Sequence, residues 1–223
     1  ERKFFIEPEK GIARHLALAF VFFPDQFGFN SKLFRDFWAS GDVKKVEFVN
    51  FIGRAIISSD NKKNIEDLHK NEMSRKRIKD FWTWILENDS NPNLFKKFGF
   101  WINLSNEIFS TEELVSYVKE TLEKSNGRLS WDFGLTEQIR RFSSEYPEIT
   151  VEIIRLFILE GKVRNVEQGD FFILDDEWLD AFGILYSNES SRNKIESLIN
   201  ILIQEGGQRF WKLEDFIKSN NKE

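Results

Sequence analysis

The chain has 223 residues, of which 41% are hydrophobic, 31% charged and 15% aromatic, with a formal charge of −5. The absence of Cys excludes a disulfide framework, a thiolate zinc site, an iron–sulfur cluster and a cysteine nucleophile. The negative net charge makes no general case for a nucleic-acid or anionic-membrane binder. It is unevenly spread, because residues 1–100 carry 18 basic and 14 acidic side chains while residues 101–223 carry 14 and 23.

Hydrophobic spacing is helical nearly everywhere. Ile12, Leu16, Ala19, Phe20 and Phe23 form one apolar face ahead of Pro24. Ser31 caps a short helix through Leu33, Phe34, Phe37 and Trp38 that Gly41 closes. Asp42 opens a third, with Val46, Val49, Ile52 and Ile56 on one side, and Gly53 inside it permits a close helix–helix approach. After a polar stretch, a long helix from about Ile65 to Glu87 is charged first and apolar later, at Ile78, Phe81, Trp82, Ile85 and Leu86.

Asn91-Pro92 reads as N-cap and first helical residue before Leu94, Phe95, Phe98 and Trp101. Ser110 with Glu113 makes a capping box before Leu114, Val118 and Leu122, and Gly127 lies past the end. Leu135, Ile139 and Phe142 precede Pro147, and Val151 to Ile158 run to Gly161. Residues 161–174 read as a loop. Trp178, Phe182 and Leu185, then Ile195 to Leu202, and finally Phe210, Leu213 and Phe216 mark the last helices. No strand alternation is found. The class expected is all-α, with about ten helices.

Several helices are apolar on more than one side, which suits a HEAT-like array (an α-solenoid) in which each helix pair packs against the previous and the next. An irregular helical bundle is the alternative, because no repeating signature accompanies the pattern. The expected division is a helical array over 1–160, with 161–223 either continuing it or forming a small helical subdomain.

Catalytic and metal chemistry finds little to work with. His15 lies beside Leu16 in an apolar helix and reads as a partly buried, hydrogen-bonded residue, and His69 lacks a partner histidine at metal-ligand spacing. Neither a phosphate-binding glycine motif nor a nucleophile elbow occurs. The carboxylate pairs Glu112-Glu113 and Asp175-Asp176-Glu177 fall in first turns, where acids stabilise the helix dipole by about 0.3–1 kcal/mol. No enzyme activity, cofactor or metal is therefore expected.

Two binding readings remain. Lys62, Lys63, Arg75, Lys76, Arg77 and Lys79 could contact nucleic-acid phosphates, or else form the solvent side of a helix that buries Ile78, Phe81 and Trp82. Phe81-Trp82-Thr83-Trp84 and Phe98-Gly99-Phe100-Trp101 place large side chains on several helix faces. Trp84, Phe100 and Trp101 are the candidate anchors for a protein partner, with core packing the competing fate.

Phe34-x-x-Phe37, Phe51-Ile52-Gly53-Arg54, Arg77-x-x-x-Phe81-Trp82-x-Trp84, Asn93-Leu94, Phe98-Gly99-Phe100-Trp101 and Tyr146-Pro147, together with His15-Leu16, form a familiar series. The series resembles the C-terminal helical region of large bacterial multidomain NTPases and their sirtuin-like or nuclease fusion relatives, several of which act in antiphage defence. The resemblance covers about residues 12–217 and rests on packing motifs. It implies a region that senses a trigger or mediates assembly, and it carries no catalytic residue onto this chain. The expectation is thus a non-catalytic interaction or sensor module of a larger bacterial protein, docking a protein partner or its own parent chain. An internal Met73 as the sole methionine fits such a segment. With an apolar run of only Leu16–Phe23, well short of the ~20 residues a bilayer needs, no membrane association and a cytoplasmic location are expected.

Overall fold

The computed structural model describes residues 8–22, 28, 31–57, 72–102, 109–164 and 174–220. Among these the protein is all-α, and no strand occurs. Helices α1 (Pro8–Phe22), α2 (Lys32–Ala39), α3 (Asp42–Ile57) and α4 (Glu72–Asn88) are followed by a broken helix. That helix comprises α5 (Pro92–Phe95), a 3₁₀ turn (Lys96–Phe98) and α6 (Gly99–Ile102). Next come α7 (Thr111–Lys124), α8 (Phe133–Glu145) and α9 (Pro147–Ile154), the last running directly into a π-helix (Arg155–Val163). Helices α10 (Asp176–Ser187), α11 (Arg192–Gly206) and α12 (Trp211–Asn220) complete the chain, with a 3₁₀ turn (Gly207–Phe210) between the last two.

Local chemistry sets the starts. Ser31 Oγ accepts the Phe34 N–H at 3.1 Å, and Asn91 Oδ1 accepts the Asn93 N–H at 2.9 Å with Pro92 at the first helical position. The Ser110–Glu113 capping box closes in both directions, and Asp175 caps α10 by accepting the Trp178 N–H at 3.1 Å. Each cap satisfies N–H groups that would otherwise have no intrahelical acceptor.

Packing proceeds along the chain. Helix α1 lies against α3, α3 against α5 and α6, α4 against α7, α6 against α8, α8 against α10, and α9 with its π extension against α11. One cluster of buried residues is continuous from Ala13 to Leu213. Its first half is aromatic: Phe20, Phe34, Phe48 and Phe81 meet edge-on or tilted at 4.7–5.9 Å between ring centroids. Such pairs add about 0.5–1.5 kcal/mol each beyond area burial.

Every fully enclosed indole has a hydrogen-bond acceptor. Trp82 donates to Thr121 Oγ1 at 3.1 Å, Trp101 to the Val49 carbonyl at 3.2 Å, and Trp178 to Thr136 Oγ1 at 3.2 Å. Trp38, nearly enclosed, donates to Asp89 at 3.2 Å, and Lys45 Nζ reaches the same carboxylate at 2.9 Å. Burial opposes ionisation of Asp89, but the Lys45 ammonium and the Asn91 and Ser90 N–H groups outweigh it and hold the carboxyl below its ordinary pKa.

One boundary differs from the sequence reading. Gly161 was expected to open a loop to residue 174, yet the helix continues to Val163. The cause is tertiary. Gly161 crosses Gly127 so closely that a Cβ on Gly161 would lie 2.0 Å from the Gly127 carbonyl oxygen. Lys162 beyond it is buried. The Arg164 N–H bonds the Leu159 carbonyl five residues back, at 2.9 Å. Arg155 and Glu160, also five apart, pair at 3.2 Å, a match that the wider winding of a π-helix permits and an α-helix does not. Arg164 then clamps Glu205 of α11 with two hydrogen bonds of 2.7 Å. Residues 165–173 lie outside the described part of the chain.

Candidate protein-docking surface

The broken helix α5–α6 and the segment 128–132 build the surface together. The Ser130 N–H bonds the Lys96 carbonyl at 2.8 Å and lays the segment flat across the 3₁₀ turn. Gly99 makes room for it, since a Cβ there would sit 2.0 Å from the Trp131 carbonyl oxygen. With the backbones in contact, the Trp131 ring stacks on Phe100 at 5.0 Å and 13°. Arg54, exposed near the end of α3, holds its guanidinium 5.7 Å from the centre of the Phe100 ring.

Arg54 and Trp131 thus both lie against the Phe100 ring, and Phe133 follows two residues after Trp131 as the first residue of α8. Trp131 remains 47% exposed and Phe133 57%. Asp132, between them, accepts a salt bridge of 3.2 Å from Lys162 of the π-helix. The Lys162 ammonium also lies 5.3 Å from the centre of the Phe157 ring. Trp131 and Phe133 thus flank a residue held by an ion pair, and both meet solvent.

The expected anchors separate on inspection. Phe100 belongs to this surface. Trp84 is half-buried in the aromatic core, with Trp38 and Phe34 edge-on at 5.4 and 5.7 Å. Trp101 has no exposed surface, and as an anchor it is corrected to a core residue. Its indole N–H is consumed by Val49, and Gly53 of α3 presses against its ring. Trp131 was missed because it lies between two helices, and Phe133 because it is the first residue of α8, positions that no periodicity marks. Their one signal is two large aromatics flanking an aspartate just after the Gly127 helix stop.

The basic stretch is largely spent within the molecule. Lys76 pairs with Asp80 at 2.8 Å, Arg77 lies 4.5 Å from the centre of the Phe20 ring, and Lys79 reaches Glu113 at 2.5 Å. Burial opposes ionisation of Glu113, but hydrogen bonds from Lys79 and Ser110 outweigh it and lower its pKa. Arg75 is half-buried, and Lys62, Lys63 and His69 lie outside the described residues. His15 is exposed rather than partly buried, with Nδ1 2.8 Å from the Gly11 carbonyl oxygen. Among the described residues no group of three or more His, Asp and Glu is placed to hold a metal ion, and no helix is long and apolar enough to cross a membrane.

No family model matches the chain, and no curated protein or solved structure is significantly similar to it.

Proposed function

We propose that this chain is a non-catalytic helical interaction module that docks a protein partner, or another part of its parent chain, on the surface that carries Arg54, Phe100, Trp131 and Phe133. The observation that carries the reading is the exposure of Trp131 and Phe133 where the described residues bury most of their large aromatics. Exposed aromatics beside an arginine have the composition of binding hot spots. A HEAT-like array is the architecture we favour, because the main contacts join helices no more than three places apart in the chain. The resemblance to the helical C-terminal region of bacterial multidomain NTPases agrees with a cytoplasmic sensor or assembly role in a larger protein.

Site-specific photocrosslinking tests the surface. A photoreactive phenylalanine at position 131 or 133 should give discrete protein adducts in cells, and the same group at exposed Ser144 should give none. Equal labelling at all three positions would remove the case for a docking site.

A nucleic-acid interface through residues 62–79 is the second reading, supported by the Lys76 side chain, which is 74% exposed. DNA or RNA affinity should then fall steeply with salt and drop further on Lys76→Glu. Absence of binding at about 50 mM salt would eliminate it.

A further inference from the structure

We propose that the partner of the aromatic surface is a second copy of this chain, docked head to tail through its last helix, α12. The inference rests on the reading of the surface as a protein-docking site and names its occupant. Helix α12 buries Leu213 and half-buries Phe216 and Ile217 against the body. Its opposite side carries Trp211, 57% exposed, with Glu214, Asp215 and Lys218 at the spacings that place them on one helix face. Glu214 and Lys218 lie 3.6 Å apart, so the stripe presents one indole and a net negative charge.

The two surfaces match in kind. An indole on α12 meets the exposed rings of Trp131 and Phe133, and the acidic side chains beside it meet Arg54. The α12 stripe, with Glu214 and Asp215 against the single Lys218, is complementary in charge to Arg54, whereas two copies of the same stripe repel, so docking between unlike surfaces is favoured. A contact between different surfaces of identical chains is heterologous, so each added copy leaves one free surface at either end and assembly continues unless the ring closes.

Sedimentation velocity on the whole chain from about 1 to 200 µM tests this, a span that brackets the micromolar affinities expected of a small docking contact. The mass should rise with concentration, and less so at high salt because the acidic–basic contacts are screened. Trp131→Ala/Phe133→Ala and Trp211→Ala should each weaken association by about tenfold or more. Both variants keep the buried core and should retain the helical circular dichroism of the parent.

The decisive arm mixes the two. Each variant keeps one intact surface, so an equimolar mixture should form a two-chain species and stop there. Charge reversal gives an independent arm: Arg54→Glu weakens association, and mixing it with Glu214→Arg restores it. A chain that stays monomeric throughout, an association that survives both aromatic variants, or a mixture that fails to pair would overturn self-docking. A monomeric chain that still gives adducts with another protein from position 131 overturns self-docking alone, and the docking surface stands with a different occupant.

Discussion

Trp82→Ala is expected to destabilise the protein by about 4 kcal/mol, the range for emptying a fully enclosed aromatic site. Trp82 is completely buried and stacks on Phe98 at 4.7 Å and on Tyr117 at 5.5 Å, with Trp101 and Phe109 edge-on or nearly so at 5.8 and 5.4 Å. Deleting it removes ring contacts to four neighbours on α4's flanks and leaves the Thr121 hydroxyl without its donor. Urea denaturation followed by far-ultraviolet circular dichroism should show a large fall in midpoint with the slope retained. Trp82→Phe separates the two contributions: it keeps most of the stacked area and should cost about 1–2 kcal/mol.

Gly161→Ala should cost about 3 kcal/mol or more, although it adds a single methyl group. The new Cβ would meet the Gly127 carbonyl oxygen at 2.0 Å and its carbon at 2.7 Å. Both are backbone atoms, so no side-chain rotation relieves the clash and the π-helix must separate from the end of α7. The effect on thermal unfolding should be a fall of roughly 6–12 °C for a chain of this length. Gly183→Ala in α10 provides the contrast. Its Cβ would find only Phe216 at 3.8 Å, an ordinary contact, so the gain in helix propensity should stabilise the protein by about 0.5–1 kcal/mol. Opposite signs for the same chemical change would separate the crossing from any general property of the glycines.

What could be seen in the sequence follows from where the governing interactions lie. Ser31, Asn91, Ser110 and Asp175 act within three residues of themselves, so the helix starts they cap were legible. The aromatic faces of α2 and α4 were legible because 3.6-residue periodicity records burial directly. Gly161 misled for a physical reason: glycine past an apolar helix usually marks a stop, whereas here its missing side chain serves a contact with Gly127, 34 positions earlier. No local pattern encodes i→i+5 winding, so the π-helix was invisible.

The docking surface was legible only in part. Phe100 was marked by its helix, but the ring that stacks on it arrives from a segment without periodicity. Trp101 and Phe100 are adjacent in sequence and opposite in fate, because α6 is a single turn clasped between α3 and the 128–132 segment. Which of two neighbouring aromatics faces outward is decided by those neighbours, not by spacing.

The Lys162–Asp132 salt bridge has a mechanical consequence. Lys162 sits near the end of the π-helix, and Asp132 lies between Trp131 and Phe133 in the chain. Successive residues of an α-helix are turned by about 100°, so a one-residue change in winding between Arg155 and Lys162 would swing the ammonium away from its carboxylate. The aromatic surface therefore shares one ion pair with the π-helix, and the register of that pair depends on the wide winding being kept.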